Sequence, residues 1–313
     1  MAANVETMFS VRQTPWHGRG IVIEDAPSSE EAIKIAGLDW LVEGRPVYDQ
    51  LGTEIPGYKL NVRTSDNMNL GIVTDRYKIV QNNEAFAFTD ALLGEGVKYE
   101  TAGSLASGKR VWLMAKLAGT KICGDDFENY LVFSNTHDGT ASIKVAITPV
   151  RVVCQNTLNL ALKQAERKWA CAHKGNIQGK LEEAKMTLSN AQAYQEELVE
   201  TLETMNEQSI SISDVKDMIA ELLPLPVAVN GVNPTPRQLA SVEDLRSELF
   251  FRYTDAPDLK AMKNSHYRMI NAVTDFVAHT EPKRRTTNFA DNRFIAIVDG
   301  HPMVDKAFKL LAA

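Results

Sequence analysis

Apolar positions in this chain keep two periods, and the change from one to the other divides it. In the first half, short apolar–polar alternations punctuated by proline, glycine and asparagine predict strands at 40–48, 58–63, 69–73, 77–80, 99–105, 110–117, 130–133 and 141–147. Ser107-Gly108 reads as the turn of a hairpin between two of them. Two helices interrupt the strands. Ser28-Ser29-Glu30-Glu31 supplies capping residues and acids for one ending near Ala36, and Asn82 can cap another over 83–93.

From Thr148 onward the spacing becomes helical. Thr148-Pro149 offers a capping hydroxyl and a proline at a first helical position. Behind it, Val150, Val153, Cys154, Thr157, Leu158 and Ala161 fall on one stripe, and Arg151, Gln155, Asn159 and Lys163 on another. A long central helix with one apolar and one cationic, amide-bearing face is therefore expected. Further helices are expected over 179–205, 213–222, 235–253, 265–279 and 305–311, with Met269, Val273, Phe276 and Val277 buried in the fourth. Residues 224–236 hold four prolines and read as a linker.

Strands first and helices last give an α+β class, with an antiparallel or mixed sheet, a long central helix and a mainly helical C-terminal region. The expected organisation is an N-terminal arm over 1–27, an α+β core over 28–180, a helical region over 181–260 containing the linker, and C-terminal helices over 261–313 that pack back on the core.

Several runs carry a resemblance: D-R-Y-K-I-V-Q-N-N-E-A-F (75–86), Y-E-T-A-G-S-L (99–105), S-N-T-H-D-G (134–139) and T-P-V-R-V-V-C-Q-N-T-L-N-L-A (148–161). With T-P-W-H-G-R-G (14–20) and N-A-V-T-D-F-V (271–277), they resemble the phage/plasmid-like protein family built on a domain of unknown function, DUF932. The resemblance implies a mobile-element protein and brings no catalytic residues.

Charge narrows the partners more than composition does. The chain of 313 residues has a net charge of −6, but residues 144–180 hold seven basic side chains against Glu166 alone. Residues 181–260 hold fifteen acidic against six basic. A local basic patch can attract a polyanion on an acidic protein, and two opposite patches can also neutralise each other. The cationic and amide residues suited to phosphates and base edges are Arg151, Gln155, Asn159, Lys163, Arg167, Lys168 and Lys174, with Trp169 exposed for stacking. The plainer alternative is a solvated helix face.

Other candidate groups are Trp16, His17 and Arg19 in a glycine-rich arm, and His137, Asp138 and His173. The last three with His17 would suit a hydrolase, although Asp138-Gly139 is also an ordinary turn dipeptide. Neither a phosphate-loop nor a dinucleotide fingerprint is present, and the histidines and three cysteines match no zinc spacing, so no cofactor or metal is expected. No apolar run is long enough for a bilayer and the N-terminus lacks a signal-peptide layout, so a cytoplasmic protein with reduced thiols and no membrane partner is expected.

The reading that follows is a non-enzymatic nucleic-acid-binding protein that binds or anneals single strands in recombination and assembles as a homo-oligomer. The alternatives are an accessory or anti-defence protein that binds a host protein through its acidic helices, and a hydrolase.

Overall fold

The computed structural model describes residues 5–12, 20–94, 96–151, 156–157, 167–189, 191–228, 231–280 and 300–312. The fold is α+β. A large mixed sheet carries strands β1 (Val5–Val11), β2 (Ile21–Ile23), β6 (Tyr99–Leu105), β7 (Arg110–Lys116), β8 (Thr120–Ile122), β9 (Asp125–Thr136), β10 (Ile143–Arg151), β11 (Asn156–Thr157) and β12 (Lys168–Cys171). Its order is β11-β10-β9-β7-β6-β1-β2, with β12 also on β10 and β8 on β9. Every pairing is antiparallel except β1 with β2. A second, antiparallel sheet has β3 (Val42–Tyr48), β4 (Glu54–Arg63) and β5 (Met68–Thr74) in sequence order.

Helices α1 (Ser29–Ile35) and α2 (Asn82–Leu93) begin with capping boxes, Ser28 with Glu31 and Gln81 with Glu84. They cover one face of the large sheet, where Phe9, Phe88, Tyr99, Leu113, Leu131, Phe133 and Val145 form a buried core with Leu38 and Leu70. A second core lies in the C-terminal half. There α4 (Ala191–Glu207), α5 (Ile212–Leu222), α6 (Pro236–Asp255), α7 (His266–His279) and α8 (Pro302–Leu311) pack together around Leu202, Leu249, Tyr253 and Ile270. Ile122 and Phe127 from β8 and β9 plug into it, so the sheet and the helices share buried surface. The expected single helix over 179–205 begins instead as a 3-10 turn, Ile177–Lys180, followed by α3 (Leu181–Ser189) and then α4.

The small sheet is tied to the large one by Arg63. Its guanidinium donates to both Glu6 oxygens at 2.8 and 2.9 Å and to both Asp66 oxygens at 2.6 and 2.9 Å, and lies 5.3 Å from the Trp40 ring centre.

Two further expectations about the strands and the central helix need correcting. Residues 5–11 are not part of an arm: V-E-T-M-F-S-V is a sheet strand paired with β6, and its Phe9 is fully buried. The second concerns the central helix. Thr148-Pro149 does not start one; β10 runs through to Arg151, with Pro149 opposite Asn129 and Arg151 opposite Phe127 of β9. On its other edge, Val150 and Arg151 pair with Thr157 and Asn156. The β-branched run Ile147-Thr148-Pro149-Val150 favours an extended chain. Pro149 fits because the outer edge of β10 pairs with β12 over Ile143–Ala146 and with β11 from Val150. Between those two partners no ladder requires its missing N–H. Thr148 is buried and its hydroxyl caps nothing.

Candidate functional site

Strand β12 and the turn after it bring together most of the expected site residues that the structure describes. K-W-A-C alternates across the strand: Lys168 and Ala170 face outward, Trp169 inward. Trp169 is 5% exposed and stacks on Phe88 with ring centres 5.7 Å apart, so the expected exposed stacking platform is a core residue. Arg167 is likewise buried, donating to the Ile147 carbonyl at 3.3 Å while its own carbonyl accepts from the Ile147 N–H at 2.8 Å. Neither presents a surface to a strand of nucleic acid.

Beyond β12, His173 turns in and Lys174 turns out. The Lys78 N–H donates to the His173 carbonyl at 2.9 Å, and His173 Nδ1 lies 3.0 Å from the Lys78 carbonyl. A carbonyl only accepts, so that contact places the proton on Nδ1. The imidazole stacks on Tyr77 with centres 4.3 Å apart, and the Tyr77 hydroxyl donates to the Thr136 carbonyl. Burial lowers the His173 pKa, opposed by the Lys78 carbonyl and by Asp138.

This reciprocal bonding sets Lys78 and Lys174 side by side at the surface. Both side chains are exposed, and neither has a carboxylate partner among the described residues. Lys180 completes the group, held at 2.7 Å by Glu183, which raises its pKa. Between them lies a shallow concavity of about 10 Å³, lined by the three lysines, Gly175, Val80 and Ile177 among others, and by no aspartate or glutamate.

Beneath this corner is a buried polar knot. His137 is 0% exposed and its Nε2 lies 3.2 Å from Asn82 Oδ1. Asn82 Nδ2 donates to the Leu38 carbonyl at 2.9 Å, which fixes its Oδ1 as the acceptor and leaves His137 Nδ1 as a lone pair without a donor. Burial first, then the charge of His173, pushes the His137 pKa from 6.5 down to about 3. Asn61 donates to the His137 carbonyl at 2.7 Å and Asn135 to that of Val80 at 3.0 Å.

Asp138 folds onto its own turn, accepting from the Thr140 N–H at 3.0 Å and the Thr140 hydroxyl at 2.6 Å. His137, Asp138 and His173 are thus neighbours, yet among the described residues no hydrogen bond links either imidazole to the carboxylate. Both imidazoles are committed to structural partners.

The remaining expected residues are not brought to this corner by anything described. The Arg151 backbone lies at the end of β10, and Gln155, Asn159, Lys163, Trp16, His17 and Arg19 lie outside the described residues. The structure adds Lys78, which sequence reasoning placed in a strand and passed over. Its signal was the exposed cation in D-R-Y-K between inward-facing Tyr77 and Val80.

The profile of the family described as Domain of unknown function (DUF932) matches residues 69–296, most of the chain and all of this corner. The chain belongs to that family. No curated protein and no solved structure matches it. In this DUF932 protein no group of three or more histidine, cysteine, aspartate or glutamate side chains is placed to hold a metal ion among the described residues. No described helix is long and apolar enough to cross a membrane.

Proposed function

We propose that this protein is a non-enzymatic nucleic-acid-binding protein of the phage or plasmid type. It holds single strands through phosphate contacts at the β12 corner and works as a homo-oligomer in recombination. The observation that carries the reading is the pair of exposed cations, Lys78 and Lys174, neither with a carboxylate partner among the described residues, with the Lys78 backbone bonded to His173, the residue before Lys174. Exposed Lys168 extends the basic surface along β12. Because the backbone beneath them is already held, only the two lysine side chains need to be ordered on meeting a phosphate, and counterion release then supplies affinity without reading sequence.

The test is fluorescence anisotropy with a labelled oligothymidylate across a salt series. Affinity should fall steeply with salt, and the double variant Lys78→Ala/Lys174→Ala should lower the slope of log K against log salt by about 1.4. Absence of binding at low salt refutes the proposal.

A second reading rests on α4. Glu196, Glu200, Glu203 and Glu207 are exposed along one side of it, opposite buried Tyr194, Leu198, Leu202 and Met205. That acidic stripe suits a basic host protein, as an accessory or anti-defence factor would require. Charge reversal at Glu200 and Glu203 should abolish such capture while leaving oligonucleotide binding intact.

A further inference from the structure

We infer that the concavity between Lys78, Lys174 and Lys180 is a seat for a single phosphate group, and that what binds there is recognised without reference to its bases. The inference rests on the nucleic-acid reading above and narrows it to one chemical group.

Three observations converge. The first is size: about 10 Å³ admits one water-sized group, enough for an oxygen of a phosphate lodged at the mouth and far too little for a base. The second is charge. Three of the lining side chains are lysines, none is a carboxylate, and two of the lysines have no anionic partner among the described residues. Among the described residues Lys180 alone of the three is engaged, by exposed Glu183, and exposed ion pairs are weak enough for an incoming phosphate to compete.

The third observation is what the walls lack. Apart from the lysine ammoniums the lining is Val80, Ile143, Ala172, Gly175, Ile177, the half-buried thiol residue Cys171 and His173, whose Nδ1 proton is already given to Lys78. Trp169, the one aromatic of β12, is buried against Phe88. Nothing there stacks on a base or pairs with its edge. Gly175, at φ +75, lines the concavity, and a Cβ there would meet only open space.

The experiment compares three probes on the full chain at one ionic strength: an oligothymidylate, a phosphodiester strand of equal length lacking every base, and inorganic phosphate as competitor against chloride. The seat predicts that the base-less strand binds within about threefold of the oligothymidylate. It also predicts that phosphate displaces both better than chloride does, and that Lys78→Ala/Lys174→Ala weakens both alike by tenfold or more at low salt. Lys78→Arg/Lys174→Arg should keep binding, which separates loss of charge from loss of fold.

If the oligothymidylate binds while the base-less strand is more than tenfold weaker, the seat is wrong and the nucleic-acid reading survives. The seat is equally refuted if both strands bind and the alanine variant weakens neither. Binding of no probe overturns both the seat and the nucleic-acid reading.

Discussion

His137 should make this protein acid-labile, by an amount that can be read directly. A histidine whose folded pKa lies below its unfolded value binds a proton more readily when unfolded, so stability is full above the unfolded pKa and falls as pH drops toward the folded one. For His137 that window runs from 6.5 down to about 3. Within it the loss approaches about 1.4 kcal/mol per pH unit, and between about pH 7 and pH 5 it integrates to about 2 kcal/mol. His173, also lowered by burial, acts in the same direction. Carboxylates elsewhere titrate as well, so the informative quantity is a difference. His137→Gln keeps a donor for Asn82 Oδ1 but cannot take up the proton. Urea unfolding followed by tryptophan fluorescence, at several pH values, should find the variant less stable than the parent at neutral pH but about 2 kcal/mol less sensitive to acidification. Equal pH slopes for parent and variant would mean that His137 is not a sealed neutral base.

Three further substitutions probe how the corner is held. Gly71→Ala should destabilise by about 1–3 kcal/mol in thermal melts, because its Cβ would stand 2.6 Å from the Asp138 Cα, which is backbone and cannot swing aside; an unchanged melting temperature would contradict that packing. Phe88→Ala should cost about 3–5 kcal/mol and shift Trp169 emission to the red, since it empties a fully buried site and uncovers the stacked indole. Arg63→Met should cost about 2 kcal/mol, less than a sealed ion pair would, because Glu6 and Asp66 remain partly open to water. The same change should raise the Asp66 carboxyl from about 2 toward its ordinary 3.8, measurable by NMR titration.

Local signals were the legible part of the chain. The capping run at Ser28 and the Ser107-Gly108 turn each act within a few residues, and the elements they predict are present, as are the helices expected from 235 and 265, which begin with caps at Thr235 and Ser265. Thr148-Pro149 misled because the same two residues suit a helix start and a strand whose outer edge changes partner. The deciding contacts, with β9, β11 and β12, are non-local. Trp169 misled for a related reason: lysines flank it in sequence, but the period-two alternation of K-W-A-C turns it inward. The pairing of Lys78 with His173 spans 95 residues, and no local pattern could announce it.

The stretch 77–82 explains how two like charges come to be held together at all. Residues 77–80 read as a strand in the sequence, yet the stretch forms no ladder among the described residues, and Tyr77 and Val80, three apart, both face inward. Side chains do the ladder's work. Lys59 donates to the Tyr77 carbonyl at 2.7 Å, His173 engages both backbone groups of Lys78, and Asn135 takes the Val80 carbonyl. Gln81 bonds both backbone groups of Val42, and Asn82 meets His137. Two ammoniums on a free loop would drift apart under their mutual repulsion and would have to be gathered again by a ligand, at an entropic cost. Here the backbone segments carrying them are held from below by buried amides and imidazoles, so on the proposed function less ordering is left for an arriving anion. The neutral, sealed state of His137 is part of that foundation. Acid that protonates it should therefore loosen the lysine pair even while leaving both lysines charged.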